Sequence, residues 1–409
     1  MNVRRSAAAL AAVAVIGTAA PAVAAPASSP SPSPSTAIPS GLYGSTDPKY
    51  DGVWRQSLAL LAQHTAGVRP AAKAVDWLAG QQCANGAFGA FRAAPARPCD
   101  AKDAPVTVDT NSTAAAVQAL AALGGHDAAT GRAVSWLKSV QNKDGGWGYA
   151  AGGASDANST SVVIGALTAV GEKPTAVLKD GKSPYDALLK LALPCSDDGA
   201  FAYQPDKKGK LAANADATAA GVVGALGQGM VARAAGKAGG AARCTDSAKP
   251  TPEQAAANGA SYLAQAVAKD GYLTSVLPGA TSQPDYGNTA DAVVALAAQG
   301  GAAQAQKPLQ WLEKHSEAWA KESGPAAYAQ LVFAAHATGT DPRDFGGMDL
   351  VKALNATGPA PQAVAAKPAE HSDKKTGSGF GTWWFVGVCL VAGIGAGFLL
   401  SGRKKRHQP

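Results

Sequence analysis

One repeated segment limits the folds open to this chain of 409 residues more than any other feature. Its clearest copies are AVDWLAGQQCANGAFGAF, residues 74–91, and AVSWLKSVQNKDGGWGYA, residues 133–150. In both copies a Trp-Leu pair precedes a glutamine and a turn of glycines with an aromatic residue. Weaker copies follow at residues 191–203, 261–272 and 309–315. A unit that recurs about every fifty to seventy residues predicts a repeat architecture.

A second motif alternates with the first. DTNSTAAAVQALAALG, residues 109–124, and DANSTSVVIGALTAVG, residues 156–171, both begin at polar residues and end at glycine, as helices do. Degenerate copies begin at Asn214, Asp285 and Gly324. Together the two motifs predict six helical hairpins. The predicted helix pairs are 50–63 with 71–82, 111–124 with 129–141, 158–171 with 183–193, 214–229 with 252–268, 287–300 with 303–316, and 324–338 with 346–355.

The polarity of the two helix types predicts how these hairpins are arranged. Helices such as AAAVQALAALG are apolar nearly all round and require burial on every side, whereas AVSWLKSVQ carries charge and requires one wet face. Alternation of the two types gives an inner and an outer ring. An open solenoid would leave a terminal hairpin uncovered. We therefore predict an all-α fold, an α/α toroid over residues 41–357.

The two ends of the chain predict export and a membrane anchor. Residues 1–25 combine Arg4 and Arg5 with an apolar run and small residues, the pattern of a secretory signal peptide, and a Pro/Ser linker follows over 26–40. After a second linker, 358–380, residues 381–401 are uncharged and long enough for a transmembrane helix. The basic segment 402–409 then predicts a short cytoplasmic tail, with the bulk of the chain outside the membrane.

Charge and cysteine content agree with this location. Six of the 36 basic residues lie at the extreme termini, which leaves 30 basic against 29 acidic residues and argues against a nucleic-acid partner. Cys389 falls in the predicted membrane span, and the other four cysteines fall in the exported part, where oxidising conditions favour disulfides. Three connectivities are open to four cysteines. Proximity in sequence favours Cys83 with Cys99 and Cys195 with Cys244.

These motifs resemble the QW repeats and inner-barrel helices of the prenyltransferase and squalene-cyclase superfamily. The resemblance spans nearly the whole exported part and implies the toroid. That superfamily includes terpene cyclases, prenyltransferase β subunits, the cobalamin-binding domains of intrinsic factor and transcobalamin, and thioester domains. In the cyclases the QW residues tie neighbouring outer helices together. The resemblance therefore implies a structural role for Trp77, Gln82, Phe88, Trp136, Gln141 and Trp147.

The motifs that carry catalysis in this superfamily are missing from the sequence. Class II cyclases protonate an alkene with an Asp-x-Asp-Asp cluster, because a carboxylic acid must be held neutral for that task. No such cluster occurs here, and the presumed inner helices contain few aromatic residues beyond Trp54 and Tyr328. Neither a zinc site of Asp, Cys and His nor a thioester motif is present. We predict no metal and no cofactor.

The polar starts of the inner helices form the candidate site. All inner helices of such a toroid run parallel, so their starts converge on one rim. Asn and Ser serve as N-caps in this interpretation, whereas Asp109 and Asp156 precede the cap by two residues and are free for a ligand. Comparable Asp-Thr positions contact the ligand in the cobalamin-binding toroids that the motifs resemble. The candidate rim residues are Asp109, Thr110, Asn111, Asp156, Asn158, Asp216, Asp285 and Asn288.

Three functions remain open from the sequence. The favoured hypothesis is a membrane-anchored, non-catalytic protein that binds a small molecule, corrinoid or isoprenoid-like, in its central cavity and presents it to a membrane transporter. The alternative is a prenyltransferase or terpene-cyclase type of enzyme that acts outside the membrane on a lipid. That alternative requires an acid cluster or metal site assembled in space from residues far apart in the chain. A barrel filled completely by Ala and Leu would instead favour a scaffold.

Overall fold

The computed structural model describes residues 37–102, 105–236, 243–276 and 283–363. The described residues all belong to one compact unit, which lies within Met1–Ala363. The predicted signal peptide, transmembrane helix and basic tail lie outside the described residues. Within the described ranges, none of the helices has the length and apolar character needed to span a membrane.

Twelve of the thirteen α-helices in the described ranges form six helical hairpins, at the positions predicted from the repeats. The thirteenth is a short additional helix in the last third of the chain. The helices are α1 (Gly52–Thr65) with α2 (Ala72–Gly80), α3 (Thr110–Leu123) with α4 (Asp127–Ser139), α5 (Ala157–Ala169) with α6 (Pro184–Leu191), α7 (Ala215–Ala225) with α8 (Pro252–Ala266), α9 (Tyr286–Gly300) with α10 (Ala302–His315), the additional α11 (Glu317–Ser323), and α12 (Pro325–Thr338) with α13 (Leu350–Asn355).

The first helices of the six hairpins form a closed inner ring. Each of α1, α3, α5, α7, α9 and α12 contacts the next, and α12 packs against α1. The second helix of each hairpin packs outside its partner. Two ends of the described chain meet at the closure, where the Tyr43 hydroxyl donates to the Pro359 carbonyl at 2.9 Å. The predicted all-helical architecture is confirmed.

Burial explains which helix occupies which ring. In α3 every residue from Thr110 to Leu120 is buried, because the helix is surrounded by neighbours on all sides. In α4 the buried residues are Thr130, Ala133, Val134, Trp136 and Leu137, a single stripe at helical spacing that faces the inner ring. The remaining face of α4 carries charged side chains into solvent.

A threonine near the start of each of four inner helices links that helix to the preceding glycine-aromatic turn. The backbone N–H of Trp147 donates to Thr160 Oγ1 at 3.1 Å, and that of Phe201 donates to Thr218 Oγ1 at 2.9 Å. Thr113 and Thr289 make the equivalent contact in the first and fourth copies of the repeat. The Thr of the Asp-x-Asn-Ser-Thr motif thus connects the two alternating motifs.

The QW glutamines connect neighbouring repeats. Gln82 Nε2 donates to the carbonyl of Gly86 in its own turn and to that of Ala129 in α4, at 3.0 and 2.8 Å. Gln141 likewise donates to the carbonyls of Gly145 and Val177, at 2.8 and 3.3 Å. Gly145 has a φ of +93°, and a Cβ there would lie 2.1 Å from the backbone carbonyl oxygen of Ser183, just before the outer helix α6. Only glycine fits this turn.

The aromatic QW residues differ in depth. Trp147 and Phe88 are fully buried, Trp136 is 8% exposed, and Trp77 is half-buried against Phe91. The fifth repeat lacks the glutamine and the turn. There Trp311 packs instead on the rings of Tyr272 and Tyr286, with centroids 4.7 and 4.9 Å apart. Four short strands also form two ribbons: β1 (Phe88–Gly89) with β2 (Val108–Asp109), and β3 (Leu273–Thr274) with β4 (Pro284–Asp285).

Both predicted disulfides are confirmed. Cys83 is bonded to Cys99 across the loop that follows α2. Cys195 is bonded to Cys244 and joins the turn after α6 to the segment before α8. Each bridge closes an insertion between helices, so each removes conformations from the unfolded chain.

Candidate functional site

A cavity of about 120 Å³ lies inside the inner ring. Its wall comes from α1, α5, α7, α9 and α12 and is mostly apolar, with Trp54, Leu58, Val223, Val294 and Phe333 as its larger side chains. The described residues therefore leave part of the barrel empty. The scaffold hypothesis requires a completely filled barrel, so this cavity argues against it.

The segment after α7, residues 227–236, runs beside α3 and α9 and contributes to the wall of this cavity; we call it the floor segment. Gln228, Gly229 and Met230 contribute to the cavity wall. The Met230 N–H donates to Gln118 Oε1 of α3 at 2.9 Å, and the Ala235 N–H donates to the carbonyl of Ala297, near the end of α9, at 3.1 Å. The floor segment thus lies toward the C-terminal ends of the inner helices, opposite the rim.

Two aspartates on neighbouring inner helices face this cavity. Asp216 lies in the first turn of α7, where its Oδ2 accepts a hydrogen bond from Asn158 Nδ2 of α5 at 2.9 Å. Asp291 lies one turn deeper on α9 and accepts from Gln330 Nε2 of α12, at 3.1 Å to Oδ2. Side chains from four inner helices therefore form one polar cluster in an otherwise apolar wall.

The environment of Asp291 favours its protonated form. Burial raises the pKa of this carboxyl group to about 6, and the negative charges of Asp216 and Asp285 act in the same direction. The hydrogen bond from Gln330 opposes this rise. Asp291 is only partly buried by surface area because its side chain forms part of the cavity wall. A carboxylic acid with such a pKa is partly protonated near neutral pH.

Two polar atoms beside the cluster lack a partner in the described structure. The side-chain carbonyl of Asn158 and the hydroxyl of Ser161 are buried without a hydrogen bond, and both residues contribute to the cavity wall. Leaving a buried polar atom unpaired costs about 1–3 kcal/mol. An unsatisfied buried polar group in a native structure requires an explanation, and a bound ligand is one.

The interpretation of Asp109 and Asp156 as residues outside the cap was wrong. Asp109 is itself the N-cap of α3 and accepts the N–H of Ser112 at 2.6 Å, and Asp156 caps α5 through Ser159 in the same way. Both carboxylates are buried, and burial raises both pKa values, that of Asp109 to about 6. In each motif the Asp, which has an extended backbone, is itself the N-cap residue. The Asn two places later lies inside the first helical turn.

The other predicted rim residues divide between the cavity and the helix starts. Of the eight, Asn158 and Asp216 contribute to the cavity wall. Asp285 caps α9 and holds Asn288, while Thr110 and Asn111 are buried in the first turn of α3. The ligand-binding role of these residues stays a prediction.

Sequence reasoning missed Asp291 and Gln330. Asp291 is the one charged residue in α9, a helix that is otherwise apolar or small over most of its length. A charge within a helix predicted to be surrounded by other helices is a usable signal, because an ion there requires a polar neighbour or a function. Gln330, on α12, supplies that polar neighbour.

A close backbone contact positions the floor segment and leads to a stability prediction. A Cβ at Gly165 of α5 would lie 2.7 Å from the Cα of Gly229. We expect Gly165→Ala to lower the free energy of unfolding by about 1–3 kcal/mol, since the floor segment must move. Gly131→Ala on α4 is the control, because nothing lies within 4 Å of its Cβ. It should raise stability by about 0.5–1 kcal/mol in the same denaturant titration; similar values for the two variants would contradict this packing.

Comparisons with known proteins give a local sequence match and distant structural matches. No family model matches the chain. A segment of 78 residues, 19% of the chain, is 40% identical to drimenyl diphosphate synthase of Streptantibioticus cattleyicolor and spans 13% of that protein. The ent-copalyl diphosphate synthase of Streptomyces platensis aligns with a TM-score of 0.47 and 16% identity, over 70% of this chain and 50% of that one. A protein from Actinoplanes aligns with a TM-score of 0.33 and 16% identity, over 69% of this chain and 100% of that one.

Of these comparisons, the local sequence match is the one that bears on the superfamily resemblance. The matched protein is a diphosphate synthase, which supports the resemblance to the superfamily of prenyltransferases and terpene cyclases. The cobalamin-binding branch has no support among these proteins. Because the chain matches only a small part of its curated relative, the activity of the whole relative does not transfer to it as a finding.

Proposed function

We propose that this protein is an enzyme of the terpene-cyclase type, which binds an isoprenoid chain in its central cavity and protonates one of its double bonds. The observation that carries the proposal is the Asp216–Asp291 pair in an apolar cavity. The two aspartates come from α7 and α9, so this is an acid cluster assembled in space from residues far apart in the chain. The enzyme hypothesis required such a cluster in place of the missing Asp-x-Asp-Asp motif.

Asp291 is the proposed acid. Its raised pKa, about 6, keeps part of the population protonated, and a protonated carboxyl group in an apolar cavity has few competing acceptors. Gln330 holds the carboxyl group in one orientation through its Nε2 donor. Asp216 supplies the neighbouring negative charge that disfavours ionisation of Asp291.

The proposed step balances without a cofactor. The O–H bond of Asp291 breaks, its proton forms a new C–H bond with one carbon of the double bond, and the other carbon becomes a tertiary cation. A second double bond of the same chain attacks that cation and closes a ring. Loss of a proton to a neighbouring base forms a new double bond, so the product is an isomer of the substrate. The base returns its proton to solvent, and re-protonation from solvent restores the Asp291 acid.

The cavity wall supports entry of the apolar end of the chain. Among the described residues that form the wall, none is Lys or Arg, and the negative charge of Asp216 repels an anion. A diphosphate or other anionic head group would therefore stay toward the rim. Trp54 and Phe333 provide two aromatic rings that can face a developing cation.

A volume of about 120 Å³ favours a slim ligand over a macrocycle. Cavities that enclose drug-sized molecules typically measure about 300–1,000 Å³. A corrinoid ring is too large for this space, which agrees with the lack of support for that branch. An isoprenoid chain is flexible, so one end can fold into this space for ring closure while the rest extends toward the rim.

The predicted location completes the proposal. A signal peptide and a C-terminal membrane helix would hold the toroid outside the membrane, beside a supply of lipid substrates. This part of the proposal rests on the sequence pattern of residues 1–25 and 381–401. Presentation of a bound ligand to a membrane transporter belongs to the binding hypothesis rather than to this one.

A second candidate is binding without chemistry. It is favoured by the small number of aromatic rings in the wall and by the unpaired polar atoms of Asn158 and Ser161, for which a bound ligand could supply partners. The two candidates differ in one outcome. After incubation of the full-length protein with farnesyl diphosphate, geranylgeranyl diphosphate or squalene, an enzyme yields cyclic isomers, whereas a binding protein returns the compound unchanged.

The pH dependence of turnover follows from the state of Asp291. The acid must be protonated to act, and its pKa is raised to about 6. We expect the rate to be constant well below pH 6 and to fall about tenfold per pH unit well above it. Initial rates measured from pH 4.5 to 8.5 at saturating substrate test this, with unfolding followed in parallel. A rate that rises with pH across this range would contradict the role of Asp291 as the acid.

A further inference from the structure

We propose that Met230, on the floor segment, sets the length of chain that the central cavity accepts. This inference rests on the proposed binding of an isoprenoid-like chain. The cavity wall runs along α7 from Asp216 to Val223 and along α12 from Ala326 to Phe333. Seven residues of helix rise by about 10 Å, so the cavity is elongated along the inner helices. The floor segment lies at the end of the cavity toward the C-termini of the inner helices, and Met230 contributes to the wall there.

The backbone beneath Met230 is held at two points. Gln118 accepts the N–H of Met230 and donates to the Val162 carbonyl at 3.0 Å, so one buried amide ties the floor segment to both α3 and α5. Gly165 lets the floor segment lie directly against α5, since a Cβ there would lie 2.7 Å from the Cα of Gly229, and Gly229 leaves room for Gln118, whose Oε1 would lie 2.4 Å from a Cβ at that position. A fixed backbone leaves the side chain of Met230 as the variable part of the closed end.

A closed end makes affinity depend on chain length in a specific way. Each added methylene group contributes about 0.8 kcal/mol while it enters an apolar wall, which is about a fourfold gain in affinity at room temperature. Once the chain touches Met230, a further methylene stays outside or forces the side chain aside, and the gain stops. Methionine is unbranched and adaptable, so it closes the space without rigid shape selection.

A series of n-alkanols tests this with the full-length protein. We expect isothermal titration calorimetry to show a fourfold gain per carbon up to a critical length and a plateau beyond it. Met230→Ala removes three heavy atoms from the closed end, so the plateau should begin about three carbons later, with a gain of roughly 60-fold for the longest chains. Met230→Leu conserves most of the volume and should leave the plateau within one carbon of the parent.

Met348→Ala is the matched control, because it makes the same deletion in the turn before α13, outside the cavity wall. Its plateau should not move. If Met230→Ala binds the short alkanols as the parent does but keeps the same plateau, Met230 does not set the length, while the proposed binding stands. If the parent protein shows no dependence on chain length, the proposed binding fails and the role of Met230 fails with it. Thermal unfolding of each variant excludes a folding defect as the cause.

Discussion

An Asp291→Asn variant is expected to lose at least about 100-fold of the cyclisation rate while it keeps its fold and its affinity for the chain. Removal of a general acid typically costs a factor of about 10²–10⁴. Asparagine has nearly the same shape, and its side-chain oxygen can still accept the hydrogen bond that Gln330 donates to Asp291. It has no acidic proton to transfer, so binding and chemistry separate in this variant.

Asp76→Asn serves as the control for this experiment, because Asp76 is an exposed aspartate on the outer helix α2. Its rate should match that of the parent. The measurement is single-turnover product formation, with affinity determined by calorimetry on the same preparations. Equal rates for Asp291→Asn and the parent, at equal affinity, would remove Asp291 from the mechanism.

The largest stability effect is expected at Trp147. A Trp147→Ala variant should lose about 3–5 kcal/mol of unfolding free energy, the range for deletion of a large buried side chain. Trp147 is 1% exposed, and its indole Nε1 donates to the Leu137 carbonyl at 2.7 Å. Alanine at this position leaves a cavity and a buried carbonyl without its donor. Because the turn also contacts Thr160, the loss should extend to the neighbouring inner helix.

Tyr50→Ala is the matched control, since this aromatic side chain is 79% exposed. It should change the free energy of unfolding by less than about 0.5 kcal/mol. Guanidinium titrations followed by far-UV circular dichroism measure both variants. A loss below about 1 kcal/mol for Trp147→Ala would mean that the glycine-aromatic turns do not hold the ring together.

Much of the fold could be predicted because the repeats encode it locally. Each inner helix carries its own cap and its own apolar surface, and each outer helix carries a stripe such as Ala133, Trp136 and Leu137. These signals act within one hairpin, so they can be recognised without knowledge of distant contacts. The Cys83–Cys99 disulfide followed for the same reason, since it closes a short loop, whereas Cys195–Cys244 encloses α7 and its prediction rested on proximity in sequence alone. The additional helix α11 has no counterpart in the repeat and was not predicted.

The candidate site was harder to predict because it depends on contacts between repeats. Asp216 and Asp291 reach the same cavity only when α7 packs against α9, and no spacing along the chain indicates that they are neighbours. The caps were misassigned for a local reason, because Asp109 and Asn111 are both favourable cap residues and the backbone alone decides between them. The floor segment has no apolar period, and its position depends on the distant side chain of Gln118.

Deuterium incorporation tests the central claim most directly. The full-length protein is incubated with farnesyl diphosphate in D₂O, and any cyclic product is analysed by mass spectrometry after removal of exchangeable deuterium. If the Asp291 carboxyl group, which exchanges with solvent, delivers the first proton, the product carries one carbon-bound deuterium at the protonated position, and Asp291→Asn yields none. Recovery of bound but unlabelled and unchanged farnesyl diphosphate, at saturating concentration and below pH 6, would contradict the enzyme proposal and leave a toroid that only binds its ligand.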